Sequence, residues 1–152
     1  MFRRSPALLL LLVGIISCKP AADRPYLAAS EKTASWIRAS EVRAPEGLSW
    51  PAVPKDPGSV ALNLYSGTPG VVLFFLQAYY STGKEAYLRA AREGADFLLS
   101  RMAGVNGAGL YEGLSGIAFA LEETCRASGN EKYRQGFSAC LGPTAAAQGG
   151  SP

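Results

Sequence analysis

The sequence predicts an all-α fold of stacked helical hairpins, an α/α solenoid or closed α/α toroid of which only the first two units are present. Three observations carry that prediction. Leu64-Tyr65-Ser66-Gly67-Thr68-Pro69-Gly70-Val71 returns as Leu110-Tyr111-Glu112-Gly113-Leu114-Ser115-Gly116-Ile117, a displacement of 46 residues. The echo continues at the same displacement, with Thr82-Gly83-Lys84-Glu85-Ala86-Tyr87 matched by Ser128-Gly129-Asn130-Glu131-Lys132-Tyr133. Each copy is followed by helix-forming sequence, first apolar and then amphipathic. A period of this length marks one supersecondary unit used repeatedly, and two units are fewer than such arrays need to close a core.

The chain opens with a targeting segment. Phe2-Arg3-Arg4 is a short cationic stretch, and Ala7 to Ile16 is an apolar run too short to cross a bilayer as a stable helix. It ends in Ile15-Ile16-Ser17-Cys18, which resembles the bacterial lipobox, in which a cysteine directly after the apolar run accepts lipid. Several acyl chains on Cys18 would hold the protein stably where a single chain is marginal. The expectation is a signal peptide over 1–17, a tether over 18–25 and a chain lipid-anchored to a membrane of the bacterial cell envelope. An ordinary secretory signal with an incidental cysteine is the alternative. Twin-arginine export fits poorly, because Ser5-Pro6 follows the arginines directly.

Residues 26–42 read as an amphipathic helix, with Leu27, Ser30, Ala34, Ile37 and Glu41 on one stripe and Trp36 and Ile37 as its heaviest apolar residues. Pro45, Pro51, Pro54 and Pro57 then exclude a helix and predict an extended loop. Trp50 in that loop is expected to plug the core rather than offer a ligand platform.

The first unit begins at Leu64. Thr68 is the expected N-cap, and Pro69 suits the first turn of a helix. Val71 to Leu76 is apolar on every side, as in a helix buried on every side, and Gln77 to Tyr80 extends it beyond strand length. Gly83 and Gly129 sit where a left-handed C-cap belongs. From Lys84 to about Met102, Tyr87, Ala90, Ala91, Gly94, Phe97, Leu98 and Met102 line one face, while charged residues fill the other. Gly67, Gly70, Gly113 and Gly116 at the inner-helix starts are expected to be structural, allowing close backbone approach and positive φ. The inner helices would point their N-termini at one mouth of the array, near Tyr65, Tyr111 and Glu112. Gly-x-x-Gly alone is no phosphate loop, since no lysine and Ser/Thr complete it.

Composition narrows the function classes. The net charge of +3 falls to +1 once Arg3 and Arg4 are set aside, and no basic run is interleaved with aromatics, so nucleic acid is not an expected partner. The chain has no histidine and three cysteines. Ser-His-Asp triads, Cys-His dyads and most zinc sites therefore cannot be assembled from its own residues. With Cys18 lipidated, Cys125 and Cys140 remain. They could pair in an oxidising envelope, although Cys125 falls on an apolar helix face where a buried free thiol is usual.

The two motif copies with their Gly turns resemble the lanthionine synthetase C-like (LanC-like) family over about residues 26–135. The resemblance implies an α/α toroid of roughly seven hairpins. It also implies a role in peptide modification, with zinc held by two cysteines and a histidine activating a thiol that adds to dehydrated Ser or Thr. No zinc ligand carries over, because those residues belong to later repeats and nothing here matches them. The family's catalytic aspartate precedes a motif glycine by four residues, and Asn63 and Gly109 stand at those positions. The resemblance thus implies a catalytically incompetent portion of the family fold, with a peptide as the expected ligand. Two other classes stay open. A carbohydrate-active toroid would need paired carboxylates, and only Glu112 is well placed at the mouth. A non-enzymatic, lipid-anchored envelope protein could bind a peptide or glycan there.

No charged residue follows Arg134, and Gly142-Pro143 falls where the first unit has Asp96-Phe97. Residues 136–152 are therefore expected to be an unstructured or aberrant tail, and a truncation or frameshift is expected near Gln135.

Overall fold

The computed structural model describes residues 25–142. The expected signal peptide over 1–17, Cys18, the tether up to residue 24 and the last part of the expected tail lie outside the described residues. Helix α1 (Pro25–Ala39) leads into a two-stranded antiparallel hairpin, β1 (Val42–Ala44) and β2 (Gly47–Ser49). Two helical hairpins follow. The first pairs α2 (Thr68–Thr82) with α3 (Glu85–Arg101), and the second pairs α4 (Leu114–Ser128) with α5 (Glu131–Leu141). Within each hairpin the helices pack on one another, while α2 and α3 both pack against α4. No helix among the described residues is long and apolar enough to cross a membrane.

The repeat is reproduced in its hydrogen bonds. Gly83 and Gly129 take φ of 69° and 66°, and their N–H groups donate to Tyr79 O and Cys125 O at 2.7 and 2.8 Å. This left-handed geometry carries little steric cost for glycine. The hydroxyls beside those turns also match. Thr82 Oγ1 donates to Ala78 O and accepts from Lys84 N–H, while Ser128 Oγ donates to Thr124 O and accepts from Asn130 N–H. A hydroxyl at this position can serve the turn in both directions, which explains why Thr and Ser exchange there.

The core runs continuously through both hairpins, with Phe75, Leu76, Leu98, Ile117, Leu121 and Tyr133 all fully buried. Tyr133 reaches from α5 to donate its hydroxyl to Arg92 O at 3.2 Å, and Lys132 pairs with Asp96 at 2.7 Å. These contacts join the two amphipathic helices.

Four sequence expectations need correction. The Pro-rich segment is not wholly extended loop, since it begins with the β-hairpin, and its own Leu48, Ser49 and Trp50 are buried. The hairpin rests directly on α3. Gly47 has φ of 145°, and a Cβ there would run into Glu93 O and come within 2.8 Å of Phe97 N. On α1 the buried residue is Ala34, whereas Trp36 faces solvent, because the helix meets α2 along a stripe centred on the small side chain. The N-cap of α2 is Gly67, and Thr68 is the first helical residue with its side chain buried. Finally, α5 continues to Leu141, past the expected boundary at 135. Gly136 permits that continuation, since a Cβ there would collide with the Leu99 side chain. Trp50 does plug the core, with its ring centroid 5.5 Å from that of Phe75. Its indole also lies within 2.9 Å of where a Cβ on Gly94 would be.

Candidate functional site

The glycine ends of α2 and α4 form the candidate site. Each helix begins where the preceding loop folds back over its first turn. Thr68 N–H donates to Ala61 O and Leu114 N–H to Gly107 O, both at 3.0 Å and 46 residues apart. A Cβ on Gly67 would strike Ala61 O and come within 2.7 Å of Asn63 O. On Gly113 it would lie 2.6 Å from both Gly107 O and Gly109 N. Gly70 and Gly116 meet the carbonyls of Leu64 and Leu110 in the same way. The motif glycines therefore allow the close backbone approach that the sequence predicts. Gly67 and Gly113 have φ of −112° and −141°, so the expected positive φ is not used there.

The two loops are joined to one another. Leu64 N–H donates to Tyr111 O at 2.8 Å, and a Cβ on Gly116 would come within 3.1 Å of Leu64 Cβ. This linkage brings the neighbourhoods of Tyr65 and Tyr111 together and leaves both rings in solvent, 85% and 64% exposed. Glu112 is exposed beside Tyr111, so all three expected mouth residues lie on the joined loops.

Asn63 has a role that the sequence reading missed. Its Oδ1 accepts from Ser66 N–H at 2.8 Å and Ser66 Oγ at 3.2 Å, fixing the turn before Gly67. The second unit has Gly109 there and closes its loop differently, through Ser115 Oγ to Ala108 O at 2.5 Å. An Asn three residues before a Ser was the available signal for such a turn. Asn63 thus organises the loop at the position where the resemblance would place an acid–base group.

The profile of the lanthionine synthetase C-like protein family matches residues 58–141, more than half of the chain. The chain belongs to the lanthionine synthetase C-like family. The match begins after Trp50 and covers both helical hairpins through the end of α5, again past the expected break at Gln135. No curated protein matches the chain.

The zinc chemistry associated with the lanthionine synthetase C-like family requires a donor set, and the described residues do not fit one. Among them no three His, Cys, Asp or Glu side chains converge on a common point. Cys125 is buried on α4, and Cys140 lies on α5 with its Sγ 3.7 Å from Met102 Sδ. Burial raises the Cys140 thiol above its ordinary pKa, which disfavours the thiolate that metal binding needs. Both thiols are free, so the pairing left open by the sequence is not formed.

Proposed function

We propose that the chain is the opening portion of a lanthionine synthetase C-like toroid that holds a peptide across the glycine ends of α2 and α4. These two hairpins contribute binding rather than bond formation. The observation supporting this reading is the pair of exposed tyrosines on loops joined by the Leu64–Tyr111 backbone hydrogen bond. Tyrosine rings offer large rigid contact area with a polar tip, which suits an extended chain carrying both amide groups and apolar side chains. Glu112 adds a carboxylate able to accept from peptide N–H or a basic side chain.

Catalysis is assigned elsewhere for a chemical reason. Asn63 and Gly109 cannot move a proton at the aspartate position, and no histidine is available as a ligand. The same reading places residues 1–17 as a signal peptide and lipid on Cys18, so the module would sit at a bacterial envelope membrane.

Fluorescence anisotropy with a labelled peptide containing both cysteine and dehydroalanine tests the binding. The Tyr65→Ala/Tyr111→Ala double variant should bind at least about tenfold more weakly, as expected when aromatic anchors are removed. Equal binding by both proteins would refute the site. Stoichiometric zinc in the purified chain, or a thioether product in its mass spectrum, would refute the division between binding and catalysis.

A further inference from the structure

Among the described residues, one face of helix α1 is left without a packing partner. Ala34 is buried, Leu27 and Ser30 line a groove against Phe74 and Ala78 of α2, and Glu31 pairs with Lys84 at 2.6 Å. These contacts fix which side of the helix turns outward. On that side Tyr26, Ala29, Thr33 and Trp36 follow one another at helical spacing, with Lys32 at the edge. Tyr26 is 88% exposed and Trp36 60% exposed. Thr33 Oγ1 already donates to Ala29 O at 3.1 Å, so a less watery surrounding would not orphan it.

We propose that this face of α1 is a second membrane contact, lying in the headgroup region of the bilayer that holds Cys18. The inference rests on the lipid-anchor reading. Only residues 19–24 separate Cys18 from the start of α1. Fully extended, that connection spans about 25 Å, comparable with the ~22 Å length of a fifteen-residue helix, so α1 cannot stray far from the surface. Tyr and Trp concentrate in this layer because their rings are apolar and their tips polar. Lys32 at the edge of this face adds attraction for anionic headgroups. The tether makes the contact effectively intramolecular, so two aromatic rings suffice where they would fail for a free protein. A continuous apolar patch is not required, and α1 does not have one.

The two tryptophans of the chain make the test direct. The full chain, processed in a lipoprotein-producing bacterium, is placed in phosphatidylethanolamine/phosphatidylglycerol vesicles with or without brominated acyl chains. Trp36 emission should shift to the blue and be quenched by the brominated lipid, giving a loss approaching half of the total indole signal. The Trp36→Phe variant retains buried Trp50 and should be unaffected. The mass of the N-terminal peptide reports the anchor independently. A lipidated Cys18 with unquenched Trp36 would overturn the contact and leave the anchor standing. An unmodified Cys18 would overturn both.

Discussion

The two ends of the hairpin stack are finished differently. Beside α2 and α3, a non-repeating segment supplies the cover: α1 packs on α2, and the β-hairpin with Trp50 closes over Phe75 and Gly94. Beyond α4 and α5 no such segment follows among the described residues, and the repeat's own surface changes instead. In the first unit Pro69, Val72, Leu76, Ala91 and Ala95 are buried. Their counterparts 46 residues later line an open groove of about 260 Å³, where Ser115, Glu122, Phe137 and Leu141 are half-buried or exposed and Ala118 alone stays buried. There Arg126 pairs with Glu122 and Glu123, and Phe119 is exposed. The same helix face is thus core in one copy and groove wall in the next. Stacking confers burial in such an array, because a single hairpin cannot bury both of its faces.

The largest test of this contrast is to remove the cover. Trp50→Ala should lower the unfolding free energy by about 3–5 kcal/mol, read from urea denaturation, because a buried indole leaves a cavity between the β-hairpin and α2. A cost below about 1 kcal/mol would mean the segment is decoration and the contrast fails. Next, Gly94→Ala forces a methyl group against Val72 and the Trp50 ring, and overpacking of this kind should cost about 1–3 kcal/mol. Combining the two variants sharpens the assignment. With Trp50 truncated, the alanine should be tolerated better, so the costs should fall short of additive.

Tyr133 probes the junction between the units. Its buried phenol, beside the Asp96 carboxylate, is held well above its ordinary pKa. The native state therefore binds the phenolic proton more tightly than the unfolded chain does. That stabilisation is complete below the unfolded value of about 10 and is lost as pH rises beyond it. Tyr133→Phe should cost about 1 kcal/mol at neutral pH for the lost hydrogen bond to Arg92 O, and should flatten the alkaline decline in melting temperature. The smallest stability effect is expected at the open end. Arg126→Ala should change stability by no more than about 0.5 kcal/mol, because its pairs are solvated. Glu122→Leu, which restores the Leu76 counterpart, should instead increase self-association in sedimentation velocity by enlarging the apolar groove.

The repeat, the helix order and the Gly83 and Gly129 caps were legible in the sequence because each rests on local chemistry: periodicity, turn residues and a fixed displacement. Trp50 was legible as a plug because a large aromatic among prolines has few other places to go. What local pattern could not supply was tertiary context. The stripe through Leu27, Ser30, Ala34 and Ile37 was legible as well, but Trp36, counted among its heaviest apolar residues, lies off it and faces solvent. Gly136 looked like a breaker and instead fits under Leu99, which only the neighbouring helix could reveal. On the joined loops, the places of Tyr65, Tyr111 and Glu112 in the chain followed from the motif. The bond joining their loops spans the two repeats, and no single copy encodes it.

The thin attachment of α1 has a kinetic consequence. Ala34 is its sole fully buried apolar residue among those described, and its ion pair to Lys84 is solvent-accessible. The helix hairpins share a continuous core, to which α1 adds Ala34 and the half-buried Ile37. Its backbone amides should therefore exchange with deuterium by a local opening far less costly than global unfolding, while those of α2 and α4 should wait for the whole core to open.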